Sequence, residues 1–171
     1  MKNNYEIRAQ KFIRQLMPYL LECDSFNAAN IDMIRSIETA ISAFNTEKHR
    51  KVNISFGSTR IAILSSDYVI KIDYNPNGEF GDSKDEIWNW EKRFSKSEFA
   101  KHFAPISKYT YNGFDFYIMP FIPHVGEYMV EDIEEDEDED FSEWIHEQLI
   151  DLHEEQFGKI GNKFVFVDYA R

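Results

Sequence analysis

Apolar residues recur every three or four positions near the start of the chain. Ile13, Leu16, Met17, Leu20 and Leu21 fall on one stripe of the segment Tyr5 to Leu21. This spacing predicts an amphipathic helix whose stripe is core. The stretch "CDSFNAANID" interrupts it with Asp24, Ser25 and Asn30, all turn or cap formers. Ile34, Ile37, Ile41 and Phe44 repeat the helical spacing and predict a second helix, ended by "NTEKHRK". At Val52 the pattern changes. "VNISFGSTRIAILSSDYVIKIDY" holds three short runs rich in Ile and Val, parted by Gly57-Ser58 and by Ser65-Ser66-Asp67. These are strand and turn signals for a small antiparallel sheet.

"NPNGEFGD" reads as a loop. "SKDEIWNWEKRF" then predicts a helix, with Ser83 and Glu86 spaced as a capping box. Residues Ile106 to Ile122 form the strongest hairpin signal, "PISKYTY" and "FDFYIMPFI" around Asn112-Gly113, a type I′ pair. "FSEWIHEQLIDLHEEQ" predicts a helix that gives way to a loop near Asp151. Gly158 and Gly161 flank a predicted turn, and "KFVFVDY" is the last strand. The order implies an α+β protein: two N-terminal helices, a sheet of about five antiparallel strands with one further helix, and a small C-terminal part. Its expected segments are 1–51 (helical), 52–126 (sheet), 127–140 (acidic linker) and 141–171.

Charge refines this outline. The net charge is −12, but residues 131–140, "EDIEEDEDED", hold nine acids. Without them the chain is only about three charges negative, and residues 1–51 carry eight Lys/Arg against six Asp/Glu. The acidity is local, suits a solvated linker or a lure for a basic protein partner, and disfavours direct binding of nucleic acid. Hydrophobic content of 43% over 171 residues suffices for a packed core of one domain or two small lobes. Cys23 is the only cysteine, which rules out an internal disulfide and suits a reducing compartment. No apolar signal core or membrane-length run is present, so a soluble cytoplasmic protein is expected.

Chemistry concentrates at a few positions. Lys71 lies inside the strand "YVIKIDY", where burying an ammonium is costly without a partner. Gly57 precedes it by fourteen residues, in a turn between strands. Backbone N–H groups of such a turn and a nearby ammonium can share one phosphate group. Glu86 and Glu91, on the following helix, are the two candidate partners for Lys71; most helix glutamates are simply solvated. "DLHEEQFG" holds Asp151, His153 and Gln156, and Asp168 ends the last strand. Two carboxylates on such loop and strand ends can hold a divalent ion or divide metal and base roles. A hydrolase built on Asp151, His153 and Asp168 would leave Lys71 and the strand order unexplained.

The order of these parts resembles that of the protein-kinase-like superfamily from about Val52 onward, roughly two-thirds of the chain. "DLHEEQFG" is similar to the catalytic loop of aminoglycoside-phosphotransferase-like and small bacterial or phage kinase-like proteins. The resemblance implies a kinase-like N-lobe and a nucleotide site for ATP with Mg²⁺. It places Gly57 and Ser58 in the phosphate-covering loop and Lys71 on the α- and β-phosphates, with Glu86, or less readily Glu91, as its partner. Met119 to Ile122, with Met119 and Phe121 as contacts, matches the hinge that holds adenine. Asp151 matches the catalytic-loop aspartate, Gln156 the metal-binding asparagine, and Asp168 the aspartate of Asp-Phe-Gly. The departures are specific. One glycine stands where the family has three, glutamine replaces asparagine, and Ala170 replaces the last glycine. Leu149 and Ile150 precede Asp151, and the C-lobe is reduced. Two expectations follow: a minimal phosphotransferase acting on a hydroxyl, or a catalytically silent kinase-derived protein that binds a basic partner through residues 131–140.

Overall fold

The computed structural model describes residues 3–22, 31–49, 51–57, 60–73, 83–124, 139–148, 156–161 and 163–168. The chain divides into two compact units. The first comprises Met1–Ser83 and Ile106–Phe121, the second Lys84–Pro105 and Ile122–Arg171.

In the first unit, helices α1 (Asn4–Leu21) and α2 (Ile31–Lys48) accompany an antiparallel sheet. Its strands are β1 (Asn53–Phe56), β2 (Arg60–Leu64), β3 (Tyr68–Asp73), β4 (Ser107–Tyr111) and β5 (Phe114–Pro120). The strand order is β1-β2-β3-β5-β4. Every neighbouring pair is antiparallel, as the α+β pattern of the sequence predicts. Strand alternation explains the core. Ile61 and Ile63 of β2, Ile70 and Ile72 of β3, and Phe116 and Ile118 of β5 all join one apolar cluster with both helices. α1 contributes Ala9, Phe12, Ile13, Leu16, Met17 and Leu20; α2 contributes Met33, Ile37, Ala40, Ile41 and Phe44. Leu21 departs from the predicted stripe and is 53% exposed. It stands seven residues, two helical turns, beyond the exposed Arg14 and shares that side of the helix.

The hairpin turn has the predicted chemistry. Asn112 and Gly113 take φ of 51° and 82°, the left-handed pair that a type I′ turn needs. The capping box at Ser83 is not formed as expected. Ser83 is the first residue of α3 (Ser83–Lys92), and its hydroxyl donates to Asp73 Oδ1 at 2.6 Å. Its backbone N–H points at the same carboxylate, 3.2 and 3.3 Å from the two oxygens. A strand-end aspartate therefore satisfies an orphan donor of the first helical turn, the task expected of a serine cap.

The second unit runs from Lys84 through α3 and includes α4 (Glu139–Gln148) and a hairpin of β6 (Phe157–Ile160) and β7 (Lys163–Phe166). Its core is aromatic. Phe94 stacks on Phe103 at 4.1 Å, and His102 stacks on Phe141 at 4.1 Å. Trp144 lies within 5.9 Å of Phe94, Phe99 and Phe103. Phe164, Val165 and Phe166 are all buried, so the last strand is covered on both faces, as its unbroken apolar run predicts.

Two readings of this region change. Gly158 belongs to strand β6, opposite Val165, rather than to a turn. A Cβ there would lie 2.5 Å from the Pro123 carbonyl oxygen and 2.8 Å from Ile122 Cγ2. The glycine marks a close backbone approach, and Lys159 N–H donates to the same Pro123 carbonyl at 3.3 Å. The turn itself keeps only Gly161, with φ of 62°. The second change is at the acidic run. Glu139 and Asp140 form the first turn of α4, where a helix N-terminus favours negative charge, and not the end of a linker. Residues 131–138 lie outside the described residues. No helix among the described residues is long and apolar enough to cross a membrane.

Candidate functional site

Lys71 is 6% exposed in the middle of β3. Its neighbours Ile70 and Ile72 point into the core shared with α1 and α2, so Lys71 points to the opposite face of the sheet. The register places residues in rows across that face. Leu64, Val69 and Met119 form an apolar row; Ala62, Lys71 and Tyr117 form the next; Arg60 and Asp73 form a charged row. Polarity therefore rises in one direction along the sheet. Gly57 lies at the charged end, where its N–H closes the β1–β2 turn on the Arg60 carbonyl at 2.9 Å.

Neither backbone nor space demands glycine at position 57. Its φ is not left-handed, and a Cβ would meet nothing nearer than the Arg60 oxygen at 3.5 Å. Met119 is buried at 1% exposure, and Phe121, just past β5, donates its N–H to the Asp67 carbonyl at 3.2 Å.

In the second unit, Glu86 is fully buried and Glu91 is exposed, which separates the two glutamates that the sequence leaves equivalent. A buried carboxylate is stable only when paired or well hydrogen-bonded. Gln156 and Asp168 come together at the open end of the β6–β7 hairpin. The N–H groups of Val167 and Asp168 both donate to the Gln156 carbonyl, at 2.7 and 3.2 Å. These backbone bonds set the two residues on adjacent chain ends, and Asp168 carries a carboxylate and Gln156 an amide oxygen. Such hard oxygen donors suit Mg²⁺, which takes one or two protein ligands and completes its shell with water and phosphate. Among the described residues, no group of three or more His, Cys, Asp or Glu could hold a metal alone. Ser58 and Asp151 lie outside the described residues.

Three residues of interest escaped the sequence reading. Tyr117 and Ala62 flank Lys71 across the sheet, and only strand register reveals them. Asp73 ends β3, and its carboxylate receives Ser83. No protein-family model, curated protein or solved structure matches this chain.

Proposed function

We propose that this chain is a minimal kinase-like protein that binds ATP with Mg²⁺ and serves phosphoryl transfer to a hydroxyl acceptor. The observation that carries the proposal is the graded sheet face around Lys71. A nucleotide has the same gradient: an apolar, stackable base, then a ribose, then phosphates. The row of Leu64, Val69 and Met119 suits the base, with Phe121 beyond it at the end of β5. Lys71 suits the α- and β-phosphates, and the Gly57 turn and Arg60 lie at the end where charge accumulates.

Glu86, buried in α3 where Glu91 is exposed, is the better candidate for the carboxylate that holds Lys71. Asp168 with Gln156 would hold Mg²⁺, which when bound neutralises phosphate charge. Asp151 would accept the proton of a hydroxyl. That oxygen forms its bond to the γ-phosphorus as the bond to the bridging oxygen breaks and ADP leaves.

Thermal-shift titration with ATP, with and without Mg²⁺, tests this on wild type, Lys71→Ala and Asp168→Ala. A ligand specific for the folded state raises the melting temperature by an amount set by its concentration relative to Kd. A Mg²⁺-dependent rise, absent in both variants relative to their own baselines, is expected. No rise at millimolar ATP would overturn the proposal.

One observation favours a second use. The first unit holds eleven Lys/Arg and eleven Asp/Glu, whereas the second holds eight and twenty, so the whole charge of −12 resides in the second unit. Such a field suits capture of a basic protein partner. Deleting 131–138 leaves nucleotide binding intact and removes salt-sensitive capture of such a partner.

A further inference from the structure

Helix α3 is inverted in polarity. Its fully or nearly buried residues are Ser83, Glu86 and Asn89, at 0%, 0% and 4% exposure. Its tryptophan, Trp88, is 55% exposed. A helix selected only for its own core would bury the tryptophan and expose the glutamate. Tryptophan is also the residue most enriched where protein contacts concentrate their energy.

The charges around Trp88 follow a pattern. Lys84 and Lys92 lie four residues before and after it, and Asp85 and Glu91 three residues before and after. At about 100° per residue, Lys84 and Glu91 fall on one flank of Trp88, and Lys92 and Asp85 on the other. Lys84, Glu91 and Lys92 are exposed, and Asp85 is half-buried. Each flank thus carries one cation and one anion, at opposite ends of the helix.

A twofold rotation reverses the helix direction and keeps each flank on its own side. Two copies of α3 packed antiparallel through Trp88 therefore bring Lys84 of one against Glu91 of the other. On the second flank Lys92 meets Asp85. Four opposite-charge pairs surround two apposed tryptophans, with no like-charge pair facing. A parallel pair about a twofold sets Lys84 against Asp85 and Glu91 against Lys92, which is also attractive; the opposed helix dipoles favour the antiparallel pair, and it alone survives an exchange of the charges on one flank.

We propose that the exposed face of α3, centred on Trp88, is an isologous contact between two copies of this chain. A ten-residue helix is only about 15 Å long, so the contact is smaller than a standard interface and belongs to the weak, reversible class. Rim charges of this kind set orientation more than affinity.

The test is sedimentation velocity on the full chain over a concentration series from micromolar to about millimolar, at low salt. Wild type is expected to show a concentration-dependent rise in mass, weakened by added salt. Trp88→Ser should abolish it. Lys84→Glu should weaken dimerisation about tenfold or more, since the symmetry repeats the lost pair. The double variant Lys84→Glu with Glu91→Lys exchanges the charges of one flank and should restore the wild-type mass. The exchange distinguishes pairing from a general effect of surface charge, and circular dichroism confirms that each variant is folded. A chain that stays monomeric throughout, or a Lys84→Glu defect that the exchange leaves unrepaired, would overturn the proposal.

Discussion

The two units of this protein are built on different principles. The first is electrically neutral and packs the β-branched Ile61, Ile63, Ile70, Ile72 and Ile118 of its sheet against two helices, with Phe12, Phe44 and Phe116 among them. The second carries the whole net charge and packs rings: Phe94, Phe103, Phe141, Phe157, Phe164 and Phe166 are all buried. In the first, regular elements supply the core and their periodicity writes it into the sequence. In the second, much of the core comes from 3₁₀ turns at Phe94–Lys96 and Ala100–His102 and from a hairpin of four-residue strands. Large rings let short, irregular segments fill a core, because each buries about 150–250 Å².

This contrast can be broken in order of expected effect. Phe166→Ala, in the centre of the ring cluster, should cost about 3–5 kcal/mol in denaturant unfolding. Ile70→Val, a single methylene in the aliphatic core, should cost about 0.5–1.5 kcal/mol. A loss well below either range would show that the position is not close-packed core.

The glycines sharpen the comparison. Gly158→Ala forces a Cβ against the Pro123 carbonyl and should destabilise by about 1–3 kcal/mol. Gly57→Ala meets only ordinary contact and should leave stability nearly unchanged while weakening nucleotide affinity. Equal stability losses at both positions would contradict a functional role for Gly57.

Asp73→Ala removes the acceptor of the Ser83 hydroxyl and N–H, and should cost about 0.5–2 kcal/mol, the range for a lost helix cap. Asp73→Asn should recover part of it.

The smallest effect lies on the exposed side of the first unit. The Lys48 ammonium and, next, the Tyr19 hydroxyl hold the Glu47 carboxyl below the usual carboxylate range. Because its folded pKa is depressed, its contribution is complete above the ordinary glutamate value and lost as pH falls through the lower folded value. Glu47→Gln should flatten the acid limb of a stability–pH profile slightly and leave neutral pH almost unchanged.

How much of this was legible in sequence follows from the same physics. Helical spacing and strand alternation announce α1, α2 and the five-stranded sheet, because one face of each element is core and the other is not. Asn112-Gly113 announces its turn through backbone conformation alone. Lys71 stood out because a cation in a β-branched run is expensive. The rows of its sheet face were hidden, since register joins Leu64, Val69 and Met119 from three separate segments. Strand β6 was missed because Gly158 usually signals a turn; here it permits a backbone contact with Pro123, distant in sequence. The cap at Ser83 was misassigned because Asp73, its true partner, is ten residues away.

The central claim is that one face of the first unit's sheet receives a nucleotide. Methyl NMR during a titration with MgATP tests it most directly. Signals of Leu64, Val69, Met119 and Ala62 should shift together and saturate, while those of Ile61, Ile63, Ile70 and Ile72, on the helix-covered face, stay in place. No shifts at millimolar MgATP, or shifts confined to the helix-covered face, would contradict it.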